Sequence, residues 1–372
     1  MMRKICFFIH HPEMGQNALF ERGAENGGGP SAMADFRRRM TEVGYTCDTD
    51  DVCPPEQADI FMFHRLDLVC GKLAKALSRN PRAILALLAF EEPVICGLHE
   101  EDLLPRLDLD AIFTWRDDLL DGGRMIKVNI PQPLGKDPGS SFVPFSDRKL
   151  VVSIEGFKSS RHPREQYSLR REVLRGLVNA GVEVDLFGRG WSNCEEKSLR
   201  DIWRGEVDDK AAVQRNYRFS LCIQNARDYP GDVCEKIFDA MKTGSVPIYR
   251  GASNIEDHVS KDCYLDLRDF DSVAALAAKL ESMDENEYRQ MQEAGQAFLR
   301  SDLPARFSGV ALADAVAPVL EALSGRQRKS RSGLAWLVTL FLSVVRSLWS
   351  APRETKLLSL KLMVRSALQA LR

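Results

Sequence analysis

Residues 219–251 read FSLCIQNARDYPGDVCEKIFDAMKTGSVPIYRG, and the fold follows from them. The apolar run 218–223 predicts a buried strand. A polar loop with Asn225, Tyr229, Pro230 and Gly231 leads into a helix over 234–242, with Glu235 and Lys236 in its first turn. Gly244 stops that helix, and 246–250 predicts a second strand. Strand, helix and strand in this order imply parallel strands joined by a crossover. A helix N-terminus exposes unpaired N–H groups and partial positive charge, which suits a phosphate. Lys236 adds a full charge there, and Glu235 can accept hydrogen bonds from ribose hydroxyls. The same residues also fit an ordinary strand–loop–helix with a surface Glu–Lys pair.

Working outward, the pattern repeats on both sides. Residues 150–154, 182–187 and 263–267 predict further strands, 168–180 a helix, and two helical segments run on to about 300. Before them, apolar runs at 4–9, 58–63, 83–90, 110–114 and 125–130 predict five strands. The stretch 30–44 has a Pro near its start and a Gly at its end, the punctuation of a helix. A Pro/Gly/Ser-rich stretch at 131–145 divides these halves and reads as a linker. The expectation is therefore an α/β protein with an N-terminal domain over 1–145 and a second α/β domain over 146–325. Two Rossmann-like domains of this kind are expected to face each other across a cleft, the usual place for a ligand.

The formal net charge of −2 over 372 residues hides an asymmetry. From Gly325 to Arg372 there are ten Lys or Arg and one acid, Glu354, a balance of +9; the remainder carries −11. Such a tail calls for an anionic partner. Residues 333–345 carry no charge, too short a run for the roughly 20 apolar residues of a bilayer span. Residues 354–372 place Glu354, Lys361, Arg365 and Arg372 on one helical face, with Lys356 outside that stripe. The expectation for 326–372 is a basic amphipathic tail lying on an anionic membrane. Read as an appendage, it would be removable without harm to the rest. A docked C-terminal helix pair is the other reading. Nucleic acid is disfavoured, because bases mixed with this much Leu and Val make no solvated phosphate-tracking surface. Nine scattered cysteines, odd in number and without a CxxC, suggest reduced thiols and a cytoplasmic protein, peripheral to the inner face of the membrane.

The segment 219–251 resembles the donor-binding motif of the α-1,3/4-fucosyltransferases (glycosyltransferase family 10), close to F-x-L-x-F-E-N…Y-[VI]-T-E-K-[ILW] and then [VI]-P-[IV]. Here it stands as Phe219, Leu221, Ile223-Gln224-Asn225, Val233-Cys234-Glu235-Lys236-Ile237 and Val246-Pro247-Ile248. Gln224 replaces the usual Glu, Asp232 the common Tyr, and the loop is one residue longer; Glu235 and Lys236 are intact. Residues 168–177 (SLRREVLRGL) resemble the segment whose arginine contacts the donor diphosphate, which the register places at Arg170. Residues 83–93 (AILALLAFEEP) resemble the segment carrying the family's base, which falls on Glu91.

The resemblance implies a GT-B arrangement and an inverting transfer of fucose from GDP-fucose to a glycan hydroxyl, in α-1,3/4 linkage. It implies Glu91 as catalytic base and Arg170, Asn225, Glu235 and Lys236 as donor-binding residues. No metal or cofactor is required by it, although a divalent cation can stimulate family members. Two other readings stay open: a GT-B transferase using another sugar nucleotide, and a non-catalytic, membrane-docked scaffold. The triplets Asp48-Thr49-Asp50 and Asp108-Leu109-Asp110 are discounted as metal motifs.

Overall fold

The computed structural model describes residues 2–21, 31–134, 142–350 and 352–370. Part of the 131–145 stretch, Pro30 and Arg372 therefore lie outside the described residues. The strands are β1 (Arg3–Phe8), β2 (Tyr45–Thr49), β3 (Ile60–Phe63), β4 (Ile84–Ala89), β5 (Ala111–Thr114), β6 (Met125–Lys127), β7 (Lys149–Ile154), β8 (Val184–Phe187), β9 (Tyr217–Ile223), β10 (Val246–Arg250) and β11 (Leu265–Asp266). The α-helices are α1 (Ala32–Glu42), α2 (Leu66–Arg79), α3 (Tyr167–Asn179), α4 (Lys197–Asp201), α5 (Lys210–Gln214), α6 (Glu235–Lys242), α7 (Val273–Ser282), α8 (Glu285–Arg300), α9 (Gly309–Ser324), α10 (Gly333–Ser347) and α11 (Arg353–Ala370).

These form two compact units, one built from the chain up to Pro133 and again from Arg306, the other running from Leu134 to Ala305. The first holds a parallel sheet in the order β2-β1-β3-β4-β5-β6. Every residue of β3, β4 and β5 is buried, as in a sheet covered on both faces. Side chains alternate between those faces. Ile84, Ala86 and Leu88 join Phe36 and Met40 of α1 and Leu312, Val316 and Leu320 of α9. Leu85, Leu87 and Ala89 join Leu73 and Leu77 of α2 with Trp336, Leu340, Val344 and Met363 of α10 and α11. The second unit holds a parallel sheet in the order β11-β10-β9-β7-β8.

Three features differ from the sequence expectation. Neither β2 nor α2 was marked by an apolar run of its own. The second expected domain, 146–325, ends early: the chain leaves that unit at Ala305, and α9 buries its apolar face on α1. The tail 326–372, expected to stand apart, packs its inward face on α2.

Polar contacts lock the tail in place. Arg331 forks onto Asp110 at 3.0 and 2.8 Å and reaches Asp108, so the second discounted triplet serves to anchor it. Lys356 is fully buried, its Nζ 2.9 Å from an Asp102 oxygen and 2.9 Å from Ser350 Oγ. Ser359 Oγ accepts from Gly97 N at 3.0 Å, and Ser366 Oγ from Gly71 N at 3.1 Å. The helices touch backbone to backbone, because a Cβ on Gly71 would stand 2.2 Å from the Ser366 carbonyl oxygen. Gly71→Ala is therefore expected to destabilise the first unit by about 1–3 kcal/mol, as overpacking does. Chemical denaturation measures the loss.

Candidate active site

In the second unit the chain passes from β7 to β8 on one side and returns to β9 on the other. The C-terminal ends of β7 and β9 therefore form the topological switch point, where open α/β sheets bind ligands. Glu155 follows β7, and Gln224 and Asn225 follow β9. Arg170, one turn into α3, joins them. Its Nε lies 2.7 Å from Glu155 Oε2, and its Nη2 donates to Ile223 O at 2.7 Å and Asn225 Oδ1 at 3.0 Å. Arg170 is only 3% exposed, so these contacts hold it within the site. Among the described residues no acceptor meets its Nη1, and Arg170 lines a small hollow with Gly156, Lys158, Tyr167, Arg171 and Trp191. The sequence reading missed Glu155, although a carboxylate just past a buried strand was visible as a signal.

The Gly188–Trp191 loop closes one side of this region. Gly188 has φ +127°, and a Cβ there would meet the Glu155 carbonyl at 2.1 Å. Trp191 Nε1 donates to that same carbonyl at 2.7 Å. The loop thus packs on the residues that hold Arg170.

At the start of α6, Lys236 Nζ lies 3.5 Å from Glu235 Oε1. The neighbouring ammonium holds the Glu235 carboxyl down, at about 2. Glu235 therefore stays an anion, able to accept hydrogen bonds, throughout the neutral range. Gln224, one of the departures from the resembled motif, accepts from the Cys234 thiol through its Oε1 at 2.6 Å. Asp232, another departure, is buried. The structure thus brings Arg170 onto Asn225 and Glu235 onto Lys236.

In the first unit Glu91 lies two residues past β4, where the strand has ended. Trp115 Nε1 donates to Phe90 O at 2.9 Å, and His99 Nδ1 lies 2.7 Å from the Glu91 carbonyl oxygen. These contacts fix the backbone while the Glu91 side chain remains 30% exposed. His64 Nε2 lies 4.0 Å from Glu91 Oε1. Burial pulls His64 down to about 3, so that ring is neutral and adds no fixed charge beside the carboxylate. Glu92 turns inward and is buried. Sequence alone gives His64 and His99 no role beside Glu91: His64 reaches it from just past β3, and His99, eight residues on, meets its backbone.

Residues 157–293 match the family model described as glycosyltransferase family 10 (fucosyltransferase) C-term. The mouse protein 4-galactosyl-N-acetylglucosaminide 3-alpha-L-fucosyltransferase 9 is 34% identical over 147 residues, 38% of this chain and 35% of its own length. The chain spans about a fifth to a half of the length of the curated relatives it matches. A crystal structure of an alpha1,3-fucosyltransferase has a TM-score of 0.58 at 15% identity, over 86% of this chain and 91% of that one. A structure of alpha1,3-fucosyltransferase with GDP-fucose has a TM-score of 0.51 at 14% identity, over 89% and 92%. At such identity the likeness is one of fold, and that fold is GT-B. Residues 157–293, within the second unit, are thus similar to the C-terminal domain of glycosyltransferase family 10.

Proposed function

We propose that the chain transfers fucose from GDP-fucose to a glycan hydroxyl with inversion at the anomeric carbon. The observation that carries this reading is Arg170 tied to Glu155, Ile223 O and Asn225 at the switch point of a domain similar to that of family 10. Arg170 holds the floor of the site and offers its remaining N–H groups to the diphosphate. Lys236 and the N-terminus of α6 add positive charge, and Glu235 accepts from the ribose hydroxyls. Glu91 takes the proton of the acceptor hydroxyl as its oxygen attacks the sugar. The bond from the anomeric carbon to the phosphate oxygen breaks, and GDP leaves with the electron pair.

A thermal-shift screen against GDP, UDP, dTDP and CMP tests the donor class. A ligand at a hundred times its Kd adds about 2.7 kcal/mol to stability, so the matching nucleotide should raise the melting temperature by several degrees. A shift with UDP alone would favour another sugar nucleotide, the reading that the Gln224 and Asp232 departures keep open. Repeating the screen with and without EDTA shows whether a divalent cation adds to binding.

Lys236→Ala should weaken GDP binding about tenfold to a hundredfold, the value of one charge-assisted hydrogen bond. Arg170→Ala should weaken it too, and it also strands Glu155 in a buried place. Removing one partner of a buried ion pair costs about 3–5 kcal/mol, so its melting temperature should fall as well. Calorimetry showing unaltered GDP affinity in Lys236→Ala would overturn the assignment.

A further inference from the structure

We infer that the outward face of α10 and α11 is a docking surface for an anionic lipid bilayer. Each helix has two unlike faces. The inward residues of α10, among them Trp336, Leu340 and Val344, complete the core of the first unit. Its outward residues are Leu334, Val338, Leu342 and Val345, spaced by four, four and three, so they form one stripe, and the exposed Trp349 stands in the turn just past the helix. Leu334 is 71% exposed and Trp349 86%. On α11 the outward face sets Lys361 and Arg365 among Leu357, Val364 and Leu368.

Charge decides between possible occupants. Four of the tail's bases (Arg328, Lys329, Arg331 and Lys356) are already paired with acids of the first unit. Arg346, Arg353, Lys361 and Arg365 are exposed on the helices themselves. A second copy of this face would set these bases against one another. An anionic leaflet instead attracts each of them, by about fivefold in affinity per base. Length decides how the helices lie. At 15 residues α10 is about 22 Å long, short of the roughly 30 Å hydrocarbon core. Among the described residues no helix is long and apolar enough to cross a membrane. The pair therefore lies along the interface, with Trp349 at headgroup depth, where Trp is favoured.

This surface belongs to the first unit and stands independently of the donor assignment. The test uses the full chain with vesicles of phosphatidylcholine alone or mixed with phosphatidylglycerol. The wild type should co-sediment with the mixed vesicles, and less so at high salt. Lys361→Gln with Arg365→Gln should weaken that binding about thirtyfold. Leu342→Ser with Trp349→Ser should weaken it about a hundredfold or more. Both double variants should melt like the wild type, since the changed side chains face away from the core. If the apolar variant loses its melting transition, the charge variant alone decides. Equal sedimentation of the wild type and the charge variant would overturn the proposal. So would a wild-type dimer that the variants turn into monomers, which would make the face a contact between copies.

Discussion

Glu91→Gln should lower the rate of sugar transfer by about 10²–10⁴-fold while leaving GDP affinity unchanged. The amide keeps the shape of the carboxylate but cannot take a proton, and general-base catalysis contributes about that factor. The structure strengthens the comparison, because the backbone at this position does not depend on the side chain. Trp115 holds Phe90 O and His99 holds Glu91 O, so the replaced amide starts from the same place. Glu92→Gln is the control, and its burial changes what the control should show. Its cost should fall on the melting temperature rather than on turnover. Steady-state rates decide: near wild-type transfer in Glu91→Gln, or a larger loss of turnover in Glu92→Gln, would move the base elsewhere.

How much of this was legible in the sequence depends on how far apart the interacting residues lie. The strand in AILALLAF was readable because both of its faces are buried, and β4 occupies its middle. The helix after Cys234 was readable because its stop at Gly244 and the following strand are local signals. The five-residue β2 alternates buried and half-buried residues and carries too few apolar side chains to stand out. The site was legible as a set of residue types, but not as a set of partners. Arg170 and Glu155 are 15 residues apart, and nothing local says that the arginine turns toward that carboxylate instead of solvent. His64 meets Glu91 only because β3 and β4 are neighbours in the sheet. Composition showed that the tail was apolar and basic; which surface its apolar residues cover depends on α2, nearly 300 positions earlier.

That long-range packing overturns the expectation that the tail is removable. Deleting residues 326–372 should unfold the first unit. Trp336, Leu340, Val344 and Met363 would all be lost from its core. Each fully buried side chain of this size contributes about 1.5–3 kcal/mol. Together the four amount to about 6–12 kcal/mol, comparable to the ~5–15 kcal/mol that holds a whole domain folded. The deletion also removes Arg331 from Asp108 and Asp110, and Lys356 from Asp102. It further exposes the α2 surface on which the tail rests, including Leu73 and Leu77. Calorimetry should therefore show the first unit's unfolding transition missing in the deleted chain, which should aggregate on purification. The outward-face variants should retain that transition, because they leave every one of these contacts in place. A deleted chain that stays soluble with a wild-type melting profile would show that α10 and α11 merely rest on α2, and that the core closes without them.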